Sequence, residues 1–240
     1  VNTGSWELTL VNAQNSIGEA VPEDLAELES GRYFDARAVD ALKDFIAGAR
    51  AEGLSVCLSS AYRSYNEQTY LFNRKVSQCG GDEAAAARIV NRPGTSEHQL
   101  GLCADITDKF YEVKTRDLEK TALYQWMYAH CQDYGFILRY PADKQDITGV
   151  MYEPWHFRYV GAPHAQLMET NGLCLEEYRD FLRQGPRSVA LENGRMAQVF
   201  YVPAAGAVTE VEVPEGCCQI SGDNVEGFIL TWWGDTHENG

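Results

Sequence analysis

The chain has 240 residues, 45% of them hydrophobic, with five Trp and thirteen Tyr, which is enough for one substantial core, in one domain or one domain with a small appendage. A formal net charge of −15 disfavours nucleic acid as a partner and electrostatic docking on an anionic membrane, because both are polyanions. No run reaches the roughly 20 apolar residues of a transmembrane helix, and ordinary Gly and Pro contents argue against disorder.

Residues 1–34 lack a clear period, although Trp6, Leu8 and Leu10 alternate, as in an extended segment packed on the body. Residues 35–50 read as a helix capped by Asp35, with Val39, Leu42, Phe45, Ile46 and Ala49 on its apolar face and Gly53 closing it. Leu54–Leu58 is a short buried strand. Ser64 followed by Glu67 fits a capping box and predicts a helix over 65–76, which brings Arg63 and Gln68 together near its start. Asp82 opens a further helix to about Val90. Leu102–Ile106 reads as a second strand. A long helix is expected over 116–134, its face made by Leu123, Trp126, Met127, His130 and Tyr134, with Gly135 as cap. On that face His130 is read as a core or half-buried histidine. Phe136–Tyr140 is a third strand, 141–152 a polar loop, and His156–Val160 a fourth strand. Leu175–Leu182 looks helical. Short β-like runs then follow at 187–191, 197–202, 207–213 and 225–233, separated by turn residues that include Asn193, Gly194 and Pro214. These assignments predict an α+β fold with residues 1–184 as one domain and 185–240 as a small β-rich appendage of unassigned role.

The chain begins at Val1 rather than Met, as expected of a processed or trimmed form whose missing N-terminus held an export signal or membrane anchor. Seven Cys are present, none in a C-x-x-C pair, so a zinc ribbon or thioredoxin-type motif is unsupported. Cys57 and Cys103, in apolar strand-like runs, read as small buried residues rather than reactive thiols. An odd count leaves at least one thiol free in an exported protein, and the pairing is not readable.

Two stretches carry chemistry. In Glu153-Pro154-Trp155-His156 the proline keeps Glu153 out of the helical region. A carboxylate three residues before an imidazole, on irregular backbone, suits a general base beside a metal ligand; a loop Glu and a satisfied core His is the plain alternative. In Ser96-Glu97-His98-Gln99-Leu100-Gly101-Leu102-Cys103-Ala104-Asp105, Asp105 lies inside an apolar strand, sharing a face with Cys103. A carboxylate there is costly unless paired or bound to a cation, and a salt bridge to Arg would also satisfy it. With His98 and His156 a His-Asp-His set is complete. Such a set leaves a fourth position for water on zinc, which lowers that water's pKa towards neutrality.

Together with Ser59-Ser60-Ala61-Tyr62-Arg63-Ser64 and Gln68, and with the run on to Phe157-Arg158-Tyr159-Val160-Gly161, these motifs resemble the VanY-like zinc D-alanyl-D-alanine carboxypeptidases. They stand in that family's order and cover roughly residues 54–161; there is no H-E-x-x-H helix of ordinary zincins. The resemblance implies a compact α+β fold with one zinc per chain on a small antiparallel sheet. It implies His98, Asp105 and His156 as ligands, Glu153 as catalytic base, and Arg63 on the substrate carbonyl or terminal carboxylate. Gln68, Ser96, Tyr140 and Trp155 would line the substrate cleft, although solvent exposure for Gln68 and simple packing for Tyr140 and Trp155 are alternatives. His130, His164 and His237 sit in no comparable motif and are not expected as ligands. The implied substrate is a peptidoglycan stem peptide or precursor, which places the enzyme outside the cytoplasmic membrane. Competing readings are an L,D-carboxypeptidase, a D,D-dipeptidase or a cell-wall endopeptidase with the same site, and a non-catalytic cell-wall-binding module, against which an intact Glu153 argues.

Overall fold

A computed structural model describes residues 6–108, 116–191, 194–213 and 215–234. In chain order the elements are β1 (Leu25–Glu27), β2 (Tyr33–Asp35), α1 (Val39–Ala51), β3 (Cys57–Ser60), α2 (Tyr65–Gln78), α3 (Glu83–Ala87), β4 (Cys103–Thr107), α4 (Ala122–His130), β5 (Phe136–Leu138), α5 (Gln145–Thr148), β6 (His156–Tyr159), α6 (Ala162–Asn171), α7 (Leu175–Arg183), β7 (Arg187–Ala190), β8 (Met196–Pro203), β9 (Cys217–Gly222) and β10 (Gly227–Gly234). The fold is α+β, as expected. None of these helices is long and apolar enough to cross a membrane.

The first core forms where α1 and α4 cover one face of the antiparallel sheet β3-β4-β6-β5. α1 buries the five residues its spacing predicts, and Phe45 stacks on Phe136 at 5.2 Å and meets Phe157 edge-on at 5.5 Å. Gly48 lets this helix approach its neighbours, because a Cβ there would overlap the Tyr134 hydroxyl and the Trp126 ring. Asp35, however, does not cap α1. Its carboxylate accepts from the Arg37 backbone and guanidinium at 2.7–3.0 Å, and Ala38 occupies the cap position without a side-chain bond.

The long helix expected over 116–134 is broken. A 3₁₀ turn at Arg116–Lys120, α4 and a second 3₁₀ turn at Cys131–Tyr134 replace it. Thr121 makes the first break: its hydroxyl donates to the Leu118 carbonyl and accepts from the Tyr124 N–H, which starts a new helix. By contrast α2 begins where its capping box predicts, with Ser64 and Glu67 bonding reciprocally. The loop over 141–152 contains the short helix α5. α6 was not foreseen: Pro163, His164, Ala165, Leu167 and Met168 are all buried, so its sequence shows no polar stripe.

The C-terminal strands form a second antiparallel sheet, ordered β7-β8-β10-β9. Residues 207–213, expected as β-like, form no strand, and Asn193, Pro214 and His237 lie outside the described residues. Val199 of β8 and Ile229 of β10 enter a second core with Leu8, Leu10, Val160, Met168 and Tyr178. The N-terminal segment is not a strand, but it is tied to this sheet: the Trp6 and Leu8 N–H groups donate to Ser221 Oγ at 2.8 and 3.0 Å, and Leu10 N–H donates to the Asp223 carbonyl.

His164 sits at the centre of this second core, with Nδ1 2.8 Å from the Tyr178 hydroxyl and Nε2 2.9 Å from Thr231 Oγ1. Burial pushes its pKa from 6.5 down to about 3, so the folded chain holds it neutral while the unfolded chain binds a proton. Its contribution to stability is therefore present above pH 6.5 and is lost progressively as pH falls towards 3. Denaturant melts at pH 7 and pH 5 should show a drop in wild type that exceeds the drop in His164→Gln by about 2 kcal/mol.

Candidate active site

β4 and β6 pair antiparallel with Asp105 directly opposite His156, and Ser60 of β3 flanks Asp105 on the other side. His98 arrives from a different direction. The chain makes a 3₁₀ turn over Glu97–Leu100, and Gly101, at φ +68°, reverses it into β4. A side chain at Gly101 would be strained in this left-handed conformation and would crowd the Asp35 N–H.

The result is a buried cluster. His98 Nε2 lies 3.1 Å from Asp105 Oδ2, and His156 Nδ1 lies 3.2 Å from Asp105 Oδ1. The two imidazole rings are nearly perpendicular, with centroids 5.0 Å apart. The far nitrogen of His98 is also engaged. His98 Nδ1 is 2.6 Å from the Ala61 carbonyl, a contact that requires the proton on Nδ1 and leaves Nε2 for the site. His156 Nε2 is 3.4 Å from Glu97 Oε2. Glu153 Oε2 stands 3.6 Å from His156 Nδ1, half-buried at the cleft, its backbone N–H donating to the Tyr140 carbonyl.

Glu97 lay unremarked between the motif residues, yet it is fully buried. It accepts from Arg139 Nε at 2.7 Å and pairs with an Arg158 terminal nitrogen at 2.8 Å. Both arginines are also fully buried. Burial alone would raise the Glu97 pKa; the Arg139 and Arg158 charges outweigh it and hold the carboxyl well below the usual range. Arg139 continues to Glu176 of α7 through two bonds of 2.7 and 2.8 Å, and Arg158 donates to the Glu7 and Thr9 carbonyls. The only signal in the sequence was a charged residue inside an otherwise apolar strand, at Arg158 and Arg139 alike.

A cleft of about 420 Å³ opens over the cluster, lined by Arg63, Gln68, Ser96, Tyr140, Glu153 and Trp155 among others. All the side chains expected around the substrate therefore meet there. Gln68 is buried rather than solvent-facing; its carbonyl accepts from Arg63 at 2.6 Å and its amide donates to the Asn91 carbonyl. Arg63 also donates to Ser60 Oγ at 3.1 Å and lies 3.9 Å from Asp105. Tyr140 is buried with its ring 4.8 Å from that of His156. Outside the cluster, His130 pairs with Asp133 and His164 lies in the second core.

Cys103 is buried, as expected, but it is more than filler. Its sulfur and one nitrogen each of His98 and His156 all lie within 4.8 Å of one another. Burial would raise its pKa, and the His98 and His156 charges instead bring it down to about 7. The two-residue spacing from Asp105 was the available signal, since i and i+2 share a strand face. The seven cysteines form no disulfide.

The donor set fits a divalent cation. Two imidazole nitrogens, that of His98 with its partner nitrogen already held, converge with a carboxylate in a buried site. Burial would lower the pKa of His156, yet Cys103, Asp105 and Glu97 hold it well above the ordinary value, so the surroundings favour positive charge at this point. Borderline N and O donors of this kind suit zinc.

Solved structures share this architecture. A vancomycin resistance D,D-dipeptidase, VanXYg, in complex with a D-Ala-D-Ala phosphinate analogue superposes with TM-score 0.84 at 31% identity, over 95% of this chain and 94% of that one. A mutant of the D,D-pentapeptidase VanY from a VanB-type resistance cassette, in complex with Zn(II), gives 0.65 at 39% identity, over 72% and 99%. The fold is thus the one these peptidases share. The family profile of VanY, D-alanyl-D-alanine carboxypeptidase, matches residues 31–162, more than half of the chain, and the chain belongs to this family. The D-alanyl-D-alanine carboxypeptidase of Enterococcus faecium is 34% identical over 215 residues, 88% of this chain and 66% of that relative's length.

Replacing Glu97 by Gln removes the carboxylate beside Arg158 and leaves Arg139 with Glu176 alone. Glu97→Gln should lower unfolding free energy by about 3–5 kcal/mol, read by denaturant melts. It should also weaken zinc binding by at least about tenfold, because the Glu97 carboxylate 3.4 Å behind the His156 ring raises that imidazole's basicity. Unchanged stability and zinc affinity would contradict this role.

Proposed function

We propose that the protein is a zinc-dependent carboxypeptidase that removes the C-terminal D-alanine from peptidoglycan stem peptides, acting outside the cytoplasmic membrane where that substrate lies. The observation that carries the reading is the meeting of His98, Asp105, His156 and Glu153 at the floor of one cleft, with Arg63 on its wall. His98 Nε2, Asp105 and His156 Nδ1 would hold one zinc ion, which when bound supplies Lewis-acid activation of water and of the scissile carbonyl. Glu153, beside His156 but directed into the cleft, takes the proton from the attacking water and delivers it to the departing amine. Arg63 is held by Gln68 and Ser60 and donates to the carbonyl oxygen as negative charge develops there. Ser96, Tyr140 and Trp155 shape the walls that orient the peptide.

A second reading, a D,D-dipeptidase, draws on the extent of the likeness to VanXYg, which spans nearly the whole of both chains. Mass spectrometry of zinc-loaded protein with a pentapeptide ending in D-Ala-D-Ala, and with free D-Ala-D-Ala, separates the two. Loss of one alanine mass from the pentapeptide supports the carboxypeptidase; cleavage of the dipeptide alone favours the second reading; neither would contradict both. Glu153→Ala should keep its zinc while kcat falls by about 10²–10⁴. His98→Ala should lose zinc, measured by metal analysis after gel filtration.

A further inference from the structure

The cleft does not end at the catalytic residues. It continues along α2, where Gln68, Leu71, Lys75 and Gln78 line it at helical spacing, with Arg74 beside them. Ile89 and Val90 line the same arm. The charges in this cleft are distributed unevenly. Asp105 and Glu153 are the only carboxylates among the lining residues, and both stand at the catalytic end. The outer arm carries Arg74 and Lys75 instead, and no ion pair among the described residues engages either of them. In a chain with 20 basic and 35 acidic residues, a cleft arm with two cations and no acid reverses the prevailing sign. Lys75 is half-buried and Arg74 is exposed.

Distance fixes which part of a substrate this arm receives. Seven residues separate Gln68 from Lys75, about 10 Å along a helix axis. An extended peptide advances about 3.3 Å per residue, so Lys75 stands about three residues beyond Gln68, which holds Arg63 at the catalytic end. A departing single amino acid cannot reach so far; the retained, N-terminal side of the substrate can. We infer that Arg74 and Lys75 form a subsite for a free carboxylate two to three residues upstream of the scissile bond, so that the preferred substrate is an acidic peptide ending in D-Ala-D-Ala. Leu71, Ile89 and Val90 give that arm an apolar floor for the intervening side chain. The inference rests on the proposed peptidase activity for its direction, not for its charge complementarity.

Two pentapeptides ending in D-Ala-D-Ala, one with free carboxylates at the second and third positions upstream and one with those groups amidated, provide the test. With zinc-loaded wild type, the acidic peptide should have the higher kcat/KM by about fivefold, mainly through KM, as expected for two partly exposed ion pairs, and the ratio should shrink with added salt. Arg74→Ala/Lys75→Ala should bring the ratio to one. Lys75→Glu should invert the preference, which a merely structural role would not do. The same ratio read as equilibrium affinity on Glu153→Ala protein makes the result independent of turnover. An acid-to-amide ratio of one in wild type, or one unchanged by both variants, would overturn the subsite. Absence of turnover with both peptides, with the affinity ratio intact, would instead sink the peptidase reading and leave the anion site standing.

Discussion

The buried carboxylate of Glu97 is the constraint on which the site depends. It stands between two buried guanidiniums and one imidazole, joining the turn that carries His98 to β6, to Arg139 just after β5 and, through Glu176, to α7. A single buried ion of this kind would be costly, and only full pairing makes it tolerable. Here two acids face two arginines, and one Arg158 terminal nitrogen reaches backbone carbonyls of the N-terminal segment. Moving any of these elements would break a charged bond in a dry interior. The cluster of His98, Asp105 and His156 is thereby held in place by polar bonds behind it, while the apolar core of α1 and α4 supports the other face of the sheet.

The second sheet takes part in the same arrangement. Its strands β8 and β10 share a core with α6 and α7, and α7 presents Glu176 to Arg139. Thr231 of β10 meets His164 of α6. The polar network at the site and the packing of the C-terminal sheet thus meet on α7.

Much of the site was legible because its chemistry is local in sequence. The Ser64–Glu67 box located α2 and with it Arg63 and Gln68. The acid within an apolar strand marked Asp105 as a residue needing partners, which His98, His156 and Arg63 supply, and Pro154 kept Glu153 out of a helix. What could not be read depends on partners far apart in the chain. Glu97 and Arg139 are 42 residues apart, and nothing in either neighbourhood announces the other. Asp35 was mistaken for a cap because its carboxylate bonds Arg37 in a turn that precedes a helix starting only at Val39. The break at Thr121 was hidden by a continuous apolar stripe, and α6 by the lack of any polar one. Cys103 was treated as a volume, whereas the imidazoles that give it a chemical setting come from His98 and from the neighbouring strand.

The central claim is that His98, Asp105 and His156 together hold one zinc ion. X-ray absorption at the zinc edge of the loaded protein tests it most directly. The account predicts nitrogen and oxygen neighbours at about 2.0–2.2 Å, with the outer-shell pattern of two imidazoles and no sulfur. A sulfur neighbour at about 2.3 Å would place Cys103 in the ligand set, and fewer than two imidazoles would remove a histidine from it; either result would contradict the account.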